Sequence, residues 1–273
     1  MWTKRTLSIR GVDYHVAEAG SGTPLLLLHG FTGSHEVFEP LLARLVPQFR
    51  CIAPDLLGHG ASAAPADSAR YHMDETLADL AALLDASEVD CAHVLGYSMG
   101  GRIALSFAAK YASRVKRLVL EGASPGLREA ADRAARRSAD EALAASILEH
   151  GVAAFVARWE EIPLFASQKN LPAAQFLRQR AIRMAQRAEG LAGSLRGIGT
   201  GAQPQMWTHL SDVAAKTLLV TGQLDVKFTQ IASEMARHIA DCETAMIAHA
   251  GHTPHLEQPE AFLDVIVPFL ANP

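Results

Sequence analysis

The sequence predicts an α/β protein: a mostly parallel sheet with helices on both faces, an antiparallel start and an inserted helical segment. Three observations predict it. Short β-rich runs alternate with helix-length amphipathic stretches, the runs are apolar almost without interruption, and the β signal disappears over residues 125–201. Strands that are apolar throughout are buried on both faces, as parallel strands between two helix layers must be. At 273 residues, 49% hydrophobic and 20% charged, the chain can bury one large core.

The elements follow in chain order. RTLSIRG and VDYHVAEAG lie too close together for a helix between them and read as an antiparallel hairpin. TPLLLLHG, RCIAPD, CAHVLGYS, VKRLVLEG, KTLLVTG and TAMIAHAG, each bounded by Gly, Pro or Asp, read as further strands separated by helices. Between VKRLVLEG and KTLLVTG the chain turns Ala-, Arg- and Leu-rich with helical periodicity, broken at Pro163 and Pro172. This predicts a core of residues 1–124 and 202–273 carrying a helical cap of residues 125–201. No internal repeat or low-complexity linker interrupts the pattern.

Composition excludes several classes of function. A net charge of -4 offers nothing to a nucleic acid backbone. The apolar run Leu25 to Leu28 is far too short to span a bilayer, and MWTKRTLSIRGVDYHV has neither an apolar h-region nor a small-residue cleavage site. A cytoplasmic protein without membrane insertion is therefore expected. Cys51, Cys91 and Cys242 form no CxxC pair, and the twelve histidines show no metal-ligand spacing, so buried thiols and no metal are expected. Residues 125–201 hold eleven Lys and Arg against eight Asp and Glu, while the rest holds fourteen against twenty-one. A basic middle on an acidic body hints at an anionic ligand, although solvated helix faces account for most of these arginines. The chain does not reveal an oligomeric state.

Gly96-Tyr97-Ser98-Met99-Gly100 fits G-x-S-x-G, with the strand CAHVL before it and the helix former GRIALSFAAKYA after it. In that context the glycines permit a strained strand-to-helix turn that presents the Ser98 hydroxyl above the sheet. A serine hydroxyl needs a histidine to take its proton, and the histidine needs an acid to fix its tautomer. Beyond KTLLVTG stands Asp225, and beyond TAMIAHAG stands His252, giving the order Ser, acid, His. His255 is the nearest rival to His252, although Gly251 suits a tight loop that exposes the imidazole of His252. Asp212 is expected before its strand, Asp241 at a helix end and His249 within a strand. His29 and His59, in Gly-bounded loops, are expected to hold structural hydrogen bonds. The backbone amides of Phe31 and Met99 are the expected oxyanion-hole donors.

Arg102 follows Ser98 by four residues in an otherwise apolar run. On a helix it projects about 40° from the direction of Ser98 and about 6 Å further along the axis, so it can reach the cleft and bind a carboxylate. The competing reading is a buried structural ion pair.

With HGF, PDLLGHG, GYSMGG, the acid loop and AGH in order, the chain resembles the α/β-hydrolase superfamily over nearly its whole length. Ser98 separates it from the haloalkane dehalogenases and epoxide hydrolases, which place an aspartate there. GYSMGGR, EGASPGL, RWEEIPLF, SLRGIGTGAQPQMW and GQLDVKF are similar to segments of one family, the 2-succinyl-6-hydroxy-2,4-cyclohexadiene-1-carboxylate synthases of menaquinone biosynthesis. That resemblance implies elimination of pyruvate from a small polycarboxylate cyclohexene, without hydrolysis and without a cofactor. It implies a carboxylate-binding role for Arg102 and, by spacing from PGL and GAQP, for Arg136 and Arg183. Arg133, Arg137 and Arg180 are the equivalents if a helix register slips. Trp159 and Phe165 match aromatic positions of the family's cap and Tyr97 matches its elbow, which implies substrate contacts for Trp159 and Tyr97, although aromatics at helical spacing more often pack. Two other readings stand beside it: a serine hydrolase of carboxylate-bearing esters or vinylogous diketones, and a ligand-binding scaffold on a retired hydrolase fold, against which the intact triad argues.

Overall fold

A computed structural model describes residues 1–272. The described residues build one eight-stranded sheet with strands β1 (Thr3–Ile9), β2 (Val12–Ala19), β3 (Thr23–Leu28), β4 (Phe49–Pro54), β5 (Ala92–Tyr97), β6 (Val115–Glu121), β7 (Lys216–Gly222) and β8 (Cys242–Ile247). Their order across the sheet is β1-β2-β4-β3-β5-β6-β7-β8. β1 pairs antiparallel with β2, and β2 with β4; every later pair is parallel. The chain belongs to the α/β class with the antiparallel start that the closely spaced first runs dictate.

The apolar runs are explained by burial on both faces. Along β3, Leu26 and Leu28 join one core cluster while Leu25 and Leu27 join the other. β6 divides in the same way, with Leu118 and Leu120 on one face and Val119 on the other. The helices are α1 (Leu42–Leu45), α2 (Met73–Ala86), α3 (Met99–Lys110), α4 (Ala130–Trp159), α5 (Ala173–Met184), α6 (Ala188–Ile198), α7 (Val226–Met235), α8 (Pro254–Glu257) and α9 (Pro259–Ala271). α2, α3 and α7 cover the first face and α1 and α9 the second, closing two layers of apolar contact over the sheet.

Between β6 and β7 lie only helical elements among the described residues: α4, a 3₁₀ segment Pro163–Asn170, α5, α6 and a 3₁₀ turn Trp207–Asp212. Pro163 opens the 3₁₀ segment and Pro172 caps α5, as the sequence breaks suggest. A further break falls at Gly151, whose φ of 79° and ψ of 169° interrupt α4. A lone glycine in an amphipathic run gives no such signal by itself, since glycine is tolerated inside helices at modest cost. α4 and α6 share their own apolar cluster, including Ile147, Phe155, Leu191 and Leu195, against which Phe31 packs. α6 reaches the core at closest approach through Gly190, where an added Cβ would stand 2.0 Å from the carbonyl oxygen of Gly58. No described helix is long and apolar enough to cross a membrane.

Two local expectations are corrected. His249 lies outside the strand: β8 ends at Ile247 and His249 adopts a φ of 60° in the following turn. Asp241 does not end a helix, because α7 stops at Met235; it enters β8, where its carbonyl accepts from the Thr217 amide at 2.9 Å. Asp212 does precede β7, at the end of a 3₁₀ turn.

Candidate active site

Ser98 sits between β5 and α3 at φ 51° and ψ −107°, a backbone conformation that side chains seldom adopt. Glycines make the turn sterically feasible. A Cβ at Gly96 would lie 2.3 Å from the carbonyl oxygen of Gly100, and one at Gly100 would lie 2.0 Å from that of Leu28. The Ser98 amide donates to the carbonyl of Glu121 at 2.8 Å, tying the turn to the end of β6.

The parallel sheet brings three distant loops together at the carboxyl ends of its strands. His252 Nε2 lies 3.0 Å from Ser98 Oγ, and His252 Nδ1 lies 2.7 Å from Asp225 Oδ2. Asp225 also caps α7, its Oδ1 accepting from the Phe228 amide at 3.3 Å. The Phe228 ring rests 4.5 Å from the His252 imidazole, centroid to centroid, and fixes its plane. His255 is committed elsewhere: its amide and Nδ1 bond the buried Glu121 carboxylate at 2.9 and 2.8 Å. The Tyr97 ring separates the two imidazoles, 5.6 Å from His252 and 4.8 Å from His255.

Phe31 and Met99 lie on the loop after β3 and at the first turn of α3, and both line the cavity above Ser98. Neither amide donates to an acceptor among the described residues, so both are available to an oxyanion. His29 orders the first of these loops. Its Nδ1 donates to the Gly30 carbonyl at 2.8 Å and its Nε2 accepts from the Leu56 amide at 2.9 Å. Burial pushes the His29 imidazole below its usual range and takes His59 down to about 3, so both act as neutral hydrogen-bonding groups.

The triad opens into a cavity of about 610 Å³ between the sheet and the inserted helices. Arg102, Arg136 and Lys227 line it, and Asp225 is the one carboxylate among its lining residues. Among the described residues Arg102 bonds no carboxylate. Its Nη1 donates to the carbonyl of Ile198 at 3.0 Å and to Gln203 Oε1 at 2.9 Å, which leaves its charge uncompensated by any ion pair. Burial, and secondarily the nearby Arg136, pull its guanidinium down to about 10, still a cation at neutral pH. Arg136 pairs with Asp140 at 2.7 Å on its own helix.

Arg183 departs from the expectation carried by the resemblance. It does not line the cavity but is buried at 2% exposure, bonded to Glu160 Oε1 at 3.2 Å and Gln168 Oε1 at 2.8 Å, with its guanidinium 5.0 Å from the Phe165 ring centroid. Spacing along a helix fixes the face a residue occupies, and Glu160 decides what that residue binds. The alternatives fare no better as cavity cations: Arg133 bonds the carbonyls of Leu127 and Arg128, Arg137 that of Gly201, and Arg180 pairs with Glu160. Trp159 and Tyr97 both line the cavity. The Trp159 indole N–H is buried without an acceptor among the described residues, a donor left free for a bound oxygen. Lys227 escaped the site reading although it stands in the quoted segment GQLDVKF; its position two residues after the acid was the available signal.

His15, His35 and Asp55 bring ligand-type atoms within 4.8 Å of one another. The two Nδ1 atoms lie 3.0 and 2.8 Å from separate Asp55 oxygens, which is hydrogen-bond spacing. Two donors on one tetrahedral zinc stand about 3.3 Å apart, so the cluster is better described as a hydrogen-bond network than as a metal centre.

The alpha/beta hydrolase fold family model matches residues 23–259. A candidate 2-succinyl-6-hydroxy-2,4-cyclohexadiene-1-carboxylate synthase of Bacillus subtilis (strain 168) is 40% identical over 264 residues, covering 96% of each chain. The chain belongs to this synthase family within the alpha/beta hydrolase fold. The 2-succinyl-6-hydroxy-2,4-cyclohexadiene-1-carboxylate synthase of Klebsiella pneumoniae (strain 342) is 32% identical across 92% of this chain and 96% of its own. Among solved structures, MenH from S. aureus superposes with a TM-score of 0.89 at 34% identity, covering 94% of this chain and 97% of that one. These similarities extend over nearly the whole chain.

Proposed function

We propose that this chain is a lyase that eliminates pyruvate from 2-succinyl-5-enolpyruvyl-6-hydroxy-3-cyclohexene-1-carboxylate, giving 2-succinyl-6-hydroxy-2,4-cyclohexadiene-1-carboxylate. The observation that carries this reading is the lining of the triad cavity, three cations against a single carboxylate that is itself bonded to His252. A polycarboxylate matches such a lining, and a neutral ester does not require it.

The acidic proton of the substrate is on the ring carbon bearing the succinyl ketone, flanked by the carbonyl and the ring alkene. Ser98, its own proton drawn to His252 Nε2, removes that proton as general base. The electron pair moves onto the ketone oxygen, where the amides of Phe31 and Met99 receive the charge. Collapse of this dienolate forms the second ring double bond and breaks the carbon–oxygen bond to the enolpyruvyl group. Enolpyruvate leaves, takes up a proton at carbon and becomes pyruvate. Asp225 holds the His252 tautomer and stabilises its protonated form throughout. Arg102 and Arg136 anchor carboxylates, Trp159 donates to a substrate oxygen and Tyr97 supports the ring plane of His252. Residues 125–201 act as the cap that forms the far wall. A cytoplasmic location accompanies this reading, because a polyanionic substrate does not cross a bilayer unaided.

The test supplies the enolpyruvyl substrate and follows pyruvate by a coupled dehydrogenase, beside hydrolysis of a carboxylate-bearing ester. Pyruvate release with no burst in the first turnover is expected, since no acyl-enzyme forms. Robust ester turnover without pyruvate release overturns the lyase in favour of a serine hydrolase.

A further inference from the structure

Resting on that reading, we propose that Lys227 is the binding site for the enolpyruvyl carboxylate, the anion that departs with the leaving group. Lys227 lines the triad cavity from the first turn of α7, two residues beyond Asp225. It forms no hydrogen bond or ion pair among the described residues, and its ammonium has only the neighbouring Phe228 ring, 5.7 Å from the centroid. Every other lysine or arginine of the cavity already holds a partner: Arg102 two oxygens and Arg136 a carboxylate.

The arrangement of cations matches the arrangement of anions on the substrate. Arg102 and Arg136 are close enough for one to bear on the other's ionisation, and they rise from α3 and α4. Lys227 comes from α7, beside the acid loop. On the substrate, the ring carboxylate and the succinyl arm occupy adjacent ring carbons, while the enolpyruvyl ether is on the carbon across the ring from the succinyl arm. Two neighbouring cations therefore meet the two neighbouring substituents, and the separate cation meets the third. Lys227 is also exposed, flanked by Leu224 and Val226 at 57% and 62% exposure, so the group it holds is at the opening through which pyruvate leaves. An ammonium on a flexible stem suits an anion that must be released each cycle better than a rigid bidentate fork does.

The experiment measures KM and kcat for the enolpyruvyl substrate, and the inhibition constant of the cyclohexadiene product, in the wild type, Lys227→Gln and Lys227→Arg. The product lacks the enolpyruvyl group but keeps both other carboxylates. Lys227→Gln is expected to raise KM about tenfold while the product inhibition constant stays within about twofold, and Lys227→Arg to recover most of the KM loss. An equal rise in both constants overturns the assignment, because Lys227 would then hold a carboxylate the product retains. An unchanged KM overturns it as well. If the wild type binds the substrate without releasing pyruvate, the lyase reading fails; if it releases pyruvate and Lys227→Gln matches it, only the inference about Lys227 fails. Equal thermal midpoints for the three proteins establish that the comparison is between folded enzymes.

Discussion

Arg102 in the cleft and Arg183 at the junction of inserted helices and core are both cations taken largely out of water, and burial lowers the proton affinity of each. They differ in their partners. Arg183 has a buried carboxylate, Glu160, an amide oxygen and an aromatic face, so its charge is spent within the fold. Arg102 has only neutral oxygens, so its charge is directed and held but not cancelled. A buried cation with an internal anion is a structural element, and one without is a binding site awaiting its anion. His59 shows a third solution: its Nδ1 bonds the Leu57 carbonyl at 3.2 Å, and burial keeps the ring neutral.

The largest expected effect removes the group that Arg102 serves. Ser98→Ala should lower kcat for pyruvate release about 10³–10⁴-fold with little change in thermal midpoint. Next, Arg183→Met should destabilise the fold by about 3 kcal/mol in urea titrations, because it leaves the buried Glu160 with Arg180 alone and takes the donor from Gln168 Oε1. A variant that kept wild-type stability but lost substrate affinity would instead move Arg183 into the cleft group.

Arg102→Ala should cost about 2–5 kcal/mol of transition-state stabilisation in kcat/KM, with a much smaller effect on the urea midpoint. Wild-type turnover in a folded Arg102→Ala variant would erase the contrast between the two arginines. The smallest effect is a slope. Unfolded His59 binds a proton below its ordinary pKa of 6.5, whereas the folded imidazole resists until about 3. The unfolded state therefore binds more protons across that window, and stability falls as pH drops through it, by up to about 1.4 kcal/mol per pH unit from this residue. Urea midpoints between pH 4 and 7 should fall less steeply in His59→Asn than in the wild type. Parallel curves would show that His59 is not buried in a neutral state.

The strands were legible because burial on both faces of a parallel sheet writes an apolar run for each, and β3 and β6 divide their side chains between two cores. The geometry around Ser98 was legible because a strained elbow demands glycine at Gly96 and Gly100, where any Cβ would meet backbone. Gly251 favoured His252 over His255 in the sequence, and the coordinates supply the physical reason. Both follow the same strand, and only Glu121, on a strand distant in sequence, takes His255 away from the serine. The Gly151 break and the partner of Arg183 were hidden, since each depends on what packs against a helix rather than on its own pattern.

The sequence by itself determined the sheet, the order of serine, acid and histidine, and the cation one turn beyond the serine. Periodicity and glycine placement are local properties, written in adjacent residues. The tertiary structure decided which cations face the cavity. Arg102, Arg136 and Lys227 come from three helices far apart in the chain, and Arg183 is withdrawn by Glu160. Whether a buried charge is paired or free depends on distances of a few ångströms between segments, because both the attraction of an ion pair and the loss of water act at that range.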